Sequence, residues 1–210
     1  MVVKKNDHYF FNYDLNKKGN ATKVAEKILD KLGPHEIIIH NVGGGMGIKD
    51  HFSNVDDWIK VWKFNVGNSI EINNVLVQYL VKKKLMGKIT YISSISSIIG
   101  DKDIDGFVGK IPYAASKAYL NSYVKGMSKK LSSQNIFFNA VLPGIVLTKN
   151  KYWDKIRKQN PKKFKNFVKK NYPIGRICNS DEIAPLVLFL SSKLSTYISG
   201  SLIKIDGSLS

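Results

Sequence analysis

Tyr113 and Lys117 have the residue types and the spacing for proton-transfer chemistry. They lie four residues apart in residues 113–132, whose composition and lack of internal proline predict a helix. Positions four apart share one helix face, so the phenol and the ammonium can point into the same space. A free tyrosine has a pKa of about 10, and a fixed cation nearby lowers it by favouring the phenolate. The pair can therefore act as a general acid/base, although such pairs are also common on plain helix surfaces.

Hydroxyl side chains precede this pair in the chain. Residues 88–92 form an apolar run that predicts a buried strand, and the sequence Ser93-Ser94-Ile-Ser96-Ser97 follows it directly. A serine at the end of such a strand could hold a substrate carbonyl or alcohol oxygen beside the phenol.

The elements that must position these groups alternate along the chain. Residues 9–13 predict a strand, an amphipathic helix opens near Asn20, and residues 37–40 predict a second strand. Strand, helix and strand of this length predict a right-handed parallel crossover, with ligands at the carboxyl ends of the strands. Later patterns predict a long helix at 55–84, strands at 136–142 and 200–207, and a last helix that begins with Ser180 as its N-cap.

The Ser-Ser pair after a strand, followed by Pro112-Tyr113-Ala-Ala-Ser-Lys117 opening a helix, resembles the short-chain dehydrogenase/reductase family. The resemblance covers nearly the whole chain, from about Tyr9 to Gly207. It implies an α/β fold, a Rossmann-like doubly wound parallel sheet with helices on both faces. It also implies an NAD(P)-dependent oxidoreductase that interconverts a carbonyl and a secondary alcohol by hydride transfer.

The resemblance assigns four catalytic positions. Tyr113 would be the general acid/base. Lys117 would lower the pKa of Tyr113 and bind the ribose. Asn65 would kink the 55–84 helix and hold a water molecule in a proton relay. Two ways of aligning the serine give different residues. Counting from Gly87 places Ser94 at the family's serine position, and we favour it. The Ser-Ile-Ile-Gly pattern instead favours Ser97, and Ser96 also stays open.

The resemblance also implies a site for NAD or NADP. Its expected residues are Asp14, Asn41, Val42, Gly43, Tyr113, Lys117, Pro143, Gly144, Val146 and Thr148. Small residues in these loops allow the backbone to approach the cofactor closely, and Thr148 offers a hydroxyl to the carboxamide or a phosphate. Val42 departs mildly from the alanine that the family usually carries there.

The family's glycine-rich turn, Gly-x-x-x-Gly-x-Gly, does not occur before Tyr9. We therefore expect the first βαβ portion, ~30 residues or more, to be absent. Its loss would separate the strands at 9–13 and 37–40 by ~14 Å and leave a bare edge, and Asp14 would reach the adenine only if that gap were filled. The alternative function is a catalytically inactive family remnant that acts as a binding or assembly partner. The residue that selects NAD or NADP would lie in the absent portion.

Composition narrows the class of protein. With 210 residues and 43% apolar content, we expect one domain over residues 1–210. The net charge of +17 comes almost entirely from lysine, and only Arg157 and Arg176 are arginine, which argues against a specific nucleic-acid reader. The single cysteine, Cys178, excludes a disulfide framework and a multi-cysteine metal site. We expect a cytoplasmic protein, since neither a signal peptide nor a membrane-length apolar run is evident.

Two further expectations follow from the resemblance. The lysine-rich residues 149–173 would form the variable substrate lid, and their charge either favours an anionic substrate or is simply solvated. The helices at 55–84 and 113–132 carry more apolar residues than one buried face needs, so we expect a homodimer or homotetramer.

Overall fold

The computed structural model describes residues 2–5, 8–48, 50–100, 110–149 and 151–210. The strands are β1 (Val2–Lys5), β2 (His8–Phe11), β3 (Ile37–His40), β4 (Gly87–Ile92), β5 (Ile136–Pro143), β6 (Val146–Leu147), β7 (Cys178–Asn179) and β8 (Leu202–Ile205). The helices are α1 (Asn20–Leu32), α2 (Val55–Trp62), α3 (Asn68–Lys83), α4 (Ser96–Ile99), α5 (Ile111–Leu131), α6 (Tyr152–Gln159), α7 (Pro161–Asn171) and α8 (Ala184–Ser191). Within the described ranges, none of these helices combines the length and the apolar content that a membrane crossing requires.

A four-stranded parallel sheet in the order β3-β4-β5-β8 forms the centre of the fold. Alternate residues of β5 contribute to two apolar cores: Phe138, Ala140 and Leu142 pack with α1, α3 and α5, whereas Val141 packs with α8. Successive strand residues point to opposite faces, so these helices cover both sides of the sheet. The predicted α/β fold with helices on both faces is confirmed.

The predicted crossover from residues 9–13 to residues 37–40 is wrong. The strand predicted at residues 9–13 corresponds to β2. It pairs antiparallel with β1 in a separate two-stranded sheet, with Lys4 opposite Tyr9. A local hairpin satisfies its backbone groups where no described strand of the main sheet lies beside it. β3 is consequently an edge strand, as expected, and its Ile37 and Ile39 side chains are 50% and 47% exposed.

The long helix predicted at 55–84 is interrupted in its middle. α2 and α3 are separated by one wide π-helical stretch, Lys63–Gly67, which contains Asn65. The extra residue in a π turn displaces the following backbone, so the expected irregularity at Asn65 is present.

The last helix begins later than predicted. Ser180 starts a short 3₁₀ turn, and α8 follows only at Ala184. The cap is Asn179, whose side chain accepts from the Glu182 N–H while the Glu182 carboxylate accepts from the Asn179 N–H.

Candidate active site

A cavity of about 400 Å³ opens at the carboxyl ends of β4 and β5. Its hydroxyl-bearing lining residues include Ser94, Ser96 and Tyr113, and Pro143 to Val146 form one wall. Much of the remaining lining is apolar and comprises Ile92, Ile95, Ile99, Trp153, Phe167 and Leu209. Parallel sheets bind ligands at this edge, so the fold places the predicted acid/base and serine groups around one cleft.

Tyr113 and Lys117 share a face of α5, as their spacing predicts. The Lys117 Nζ lies 5.8 Å from the centre of the Tyr113 ring. Lys117 is 3% exposed, and its Nζ donates to the Ile92 carbonyl at 2.8 Å. Burial lowers the pKa of Lys117 to about 8. The ammonium is therefore mostly protonated at pH 7, and its charge favours the phenolate of a tyrosine beside it.

Asn65 connects the π stretch to the glycine loop after β3. Its Oδ1 accepts from the Gly44 N–H at 2.9 Å, and its Nδ2 donates to the carbonyls of Gly44 and Val61. A Cβ on Gly43 would lie 2.6 Å from Asn65 Oδ1 and 2.9 Å from Lys117 Nζ. Glycine suits this close approach, and the Asn65 hydrogen bonds to Gly44 hold the loop beside Lys117 of α5.

The structure separates the candidate serines. Ser94 and Ser96 line the cavity, and the Ser94 Oγ donates to the Ser96 Oγ at 3.2 Å. Ser97 is not among the cavity residues; its Oγ donates to the Ser94 carbonyl and accepts from Asn121. Sequence reasoning missed Asn121. Its signal was a polar residue on the predicted helix, four residues after Lys117 and thus on the same face.

Some of the expected cofactor residues are brought to the cavity. Pro143, Gly144 and Val146 line it directly, and a Cβ on Gly144 would lie 3.1 Å from the Asp206 Cα. This close approach leaves little room for a side chain at position 144. These residues, with Lys117 and the Gly43 loop, fit the ribose and nicotinamide half of a dinucleotide.

Other expected cofactor residues lie away from the cavity. Asn41 and Val42 are exposed at the end of β3, and Thr148 is exposed beyond β6. Asp14 is exposed in the turn before α1, where its Oδ1 accepts from the Asn16 N–H. In the part of the chain that the structure describes, the family's Gly-x-x-x-Gly-x-Gly turn does not occur.

A buried polar network lies behind the glycine loop. His40 precedes Asn41, stacks on Tyr91 and places its Nε2 2.9 Å from the Asn73 Oδ1. The Asn73 Nδ2 donates to the Tyr91 hydroxyl at 2.6 Å. Burial lowers the pKa of His40 to about 4.

This network predicts that the protein loses stability in mild acid. The unfolded chain takes up the His40 proton near pH 6.5, but the folded chain takes it up only near pH 4. This contribution to the free energy of unfolding is therefore complete above about pH 6.5 and is lost as the pH falls toward 4. At pH 5 the loss amounts to about 2 kcal/mol. Urea unfolding at several pH values measures it. His40→Asn should flatten this dependence and the exposed His51→Asn should not; equal slopes in both variants would contradict the assignment.

Comparison with known proteins identifies the family of this chain. The family described as Enoyl-(Acyl carrier protein) reductase matches residues 2–210. A 3-oxoacyl-[acyl-carrier-protein] reductase of Thermotoga maritima is 30% identical over 203 residues, covering 97% of this chain and 76% of the relative. A short-chain type dehydrogenase/reductase of Sinorhizobium fredii is 25% identical over 202 residues, covering 96% of this chain and 76% of the relative.

Solved structures share the fold. A 3-oxoacyl (acyl-carrier-protein) reductase from Agrobacterium tumefaciens with NADP bound superposes with a TM-score of 0.81 at 22% identity, covering 92% of this chain and 71% of that one. L-sorbose reductase from Gluconobacter frateurii, complexed with NADPH and L-sorbose, gives a TM-score of 0.80 at 23% identity, covering 93% and 74%. Because the family model matches residues 2–210, the chain belongs to the short-chain dehydrogenase/reductase family of NAD(P)-dependent oxidoreductases.

Proposed function

We propose that this chain interconverts a carbonyl and a secondary alcohol, with Tyr113 as the general acid/base. The observation that carries the proposal is the cavity shared by Tyr113 and Ser94, with the Lys117 Nζ 5.8 Å from the tyrosine ring. In the reducing direction, the Tyr113 hydroxyl gives its proton to the substrate oxygen as that oxygen gains charge. A bound dinucleotide supplies the hydride.

The neighbouring residues have distinct roles in this proposal. Ser94 donates a hydrogen bond to the substrate oxygen and so holds it beside the phenol. Lys117 stabilises the phenolate that remains after proton transfer. Asn65 keeps the Gly43 and Gly44 backbone in place, and a second lone pair on its Oδ1 is available to a relay water.

For the cofactor, NAD or NADP, we propose the nicotinamide end at the wall formed by Pro143, Gly144 and Val146. Lys117 and Thr148 would contact the ribose and the carboxamide or a phosphate. Of the remaining predicted contacts, Asn41 to Gly43 would lie toward the ribose and nicotinamide half, and Asp14 would lie toward the adenine. The solved relatives hold NADP or NADPH, so NADPH is the first cofactor to test.

For the substrate, we propose a 3-oxoacyl thioester. The relatives are named for 3-oxoacyl groups on acyl carrier protein, and the cavity offers an apolar wall that includes Trp153 and Phe167. These two residues lie on α6 and α7, which supports residues 149–173 as a substrate lid within one domain of residues 1–210. The lid is rich in lysine, and within it Asp154 forms ion pairs at 2.8 Å with Arg157 and Lys158.

Reduction of acetoacetyl thioesters by millimolar NADPH or NADH tests the activity, measured as loss of reduced-nicotinamide absorbance with chromatographic identification of the hydroxy product. We expect NADPH oxidation that depends on the thioester. No turnover with either cofactor across a panel of ketones and thioesters would remove the catalytic proposal.

A second function is supported by the uncovered apolar surface. The β3 edge exposes Ile37 and Ile39, and the segment from α8 onward exposes Leu188 and Tyr197 at 68% and 100%. A family member without activity could bind a partner through such surfaces. Absence of turnover together with a stable, specific complex would favour this function over the enzyme.

We propose that the protein acts in the cytoplasm on a small-molecule substrate. We also propose that it forms a homo-oligomer through α2 and α5. Val55, Ile59, Trp62 and Tyr119 are exposed at 71%, 54%, 36% and 47% on these helices. Light scattering should give a dimer or tetramer mass that Ile59→Lys lowers. Leu194→Lys, a similar change outside these helices, should not lower it. A monomer mass at every concentration would contradict the prediction.

A further inference from the structure

One side chain of α5, Asn121, holds the turn that carries Ser94 at two points. Asn121 is 7% exposed and lies on the helix face of Tyr113 and Lys117. Its Oδ1 accepts from the Ser93 Oγ at 2.8 Å, and its Nδ2 donates to the Ser97 Oγ at 2.6 Å. The amide therefore bonds the residue before Ser94 and the residue three positions after it.

The chemistry of this contact requires an amide. The Ser97 hydroxyl has one proton, and it donates that proton to the Ser94 carbonyl at 2.5 Å. It can therefore only accept from Asn121, which needs the amide nitrogen on that side. The Ser93 hydroxyl donates, which needs the amide oxygen on the other side. A carboxylate at position 121 would supply the acceptor but not the donor.

The backbone attaches only the first part of this turn to the sheet. Ser93 N–H donates to the Val141 carbonyl at 2.8 Å and Ile95 N–H donates to the Pro143 carbonyl at 2.9 Å. After Ile95 the chain continues as α4, which packs against α5. The Ser94 hydroxyl itself has two 3.2 Å contacts within the turn, to the N–H and the Oγ of Ser96. Its position therefore depends on how the turn is held as a whole.

We propose that Asn121 is a positioning residue that sets the separation between the Ser94 hydroxyl and the Tyr113 phenol. It does so because it ties the serine turn to the same helix that carries the tyrosine. The inference rests on the proposed function, in which both hydroxyls contact one substrate oxygen. Displacement of a reacting group by ~1 Å can cost ~10²-fold in rate.

Amide hydrogen exchange of the 210-residue chain tests the contact without any cofactor. In Asn121→Ala, the Ser96 and Ser97 amides should exchange about tenfold faster, the effect expected from losing a buried hydrogen bond, with Tyr91 in β4 unchanged. Asn139→Ala is the matched control. Asn139 is also buried, but its bonds run to Ile198 and Ser201. Unchanged exchange at Ser96 and Ser97 in Asn121→Ala would overturn the inference.

A double-mutant cycle tests whether Asn121 acts through Ser97. Ser97→Ala should accelerate exchange of the same Ser96 and Ser97 amides. In the double variant that combines Ser97→Ala with Asn121→Ala, these amides should exchange no faster than in the faster of the two single variants. Effects that multiply would show independent roles and overturn the inference.

Turnover gives the functional arm of the test. Asn121→Ala and Asn121→Asp should lower kcat by ~10²-fold with the KM for NADPH unchanged, which general loss of structure would not do. Parental kcat in Asn121→Ala, while Tyr113→Phe is inactive, would overturn the inference and leave the proposed function standing. If the parent shows no turnover, the proposed function fails, and the exchange cycle still decides for or against the Asn121 contact.

Discussion

Tyr113→Phe should abolish turnover while leaving the fold intact. The substitution removes only the hydroxyl and keeps the aromatic ring beside Lys117. Loss of a general acid/base typically costs ~10²–10⁴-fold in rate. Steady-state rates at saturating cofactor, together with circular dichroism and thermal unfolding, measure both parts of the expectation.

The matched control is Tyr119→Phe on the same helix. Tyr119 is 47% exposed and meets Trp62 edge-on, a contact that phenylalanine retains. We expect parental activity in this variant. Activity of Tyr113→Phe within a factor of about two of the parent would remove Tyr113 from the acid/base role, a margin far smaller than the typical loss.

The 210-residue chain by itself should bind dinucleotides weakly. In the proposed site, Lys117, Gly43 and the wall at Pro143 to Val146 would contact the ribose and nicotinamide, whereas these 210 residues do not include the family's Gly-x-x-x-Gly-x-Gly turn for the pyrophosphate. Each charge-assisted hydrogen bond contributes about 1.5–3 kcal/mol, so the lack of two weakens binding by ~10²-fold or more. The bare β3 edge should also make the chain weakly stable or prone to associate.

Calorimetric titration with NADH, NADPH and reduced nicotinamide mononucleotide tests this expectation. The mononucleotide lacks the adenosine half, so we expect all three ligands to bind with similarly weak affinity. Micromolar affinity for either dinucleotide would show that another segment, with residues 43–47 as the first candidate, supplies the phosphate site. Size-exclusion chromatography at several concentrations tests association through the β3 edge.

The sequence by itself determined the elements that depend on local pattern. Apolar runs identified β4 and β5, and the four-residue spacing placed Tyr113 and Lys117 on one face, because the periods of strands and helices are properties of the backbone. The sequence predicts that Gly43 lets the backbone approach the cofactor, and the structure adds a second reason for glycine there, since Asn65 and Lys117 occupy the space of a Cβ.

Tertiary structure decided what local pattern cannot encode. The residues 9–13 have strand character, but pairing depends on which strands lie nearby, and β2 pairs with β1 instead of entering the main sheet. Four serines of similar sequence context became distinguishable only when the turn packed against α5, which brought Ser94 and Ser96 to the cavity and turned Ser97 toward Asn121. The contacts that tie Ser93 and Ser97 to Asn121 span 28 and 24 residues, because hydrogen-bond partners are selected by three-dimensional proximity and not by sequence distance.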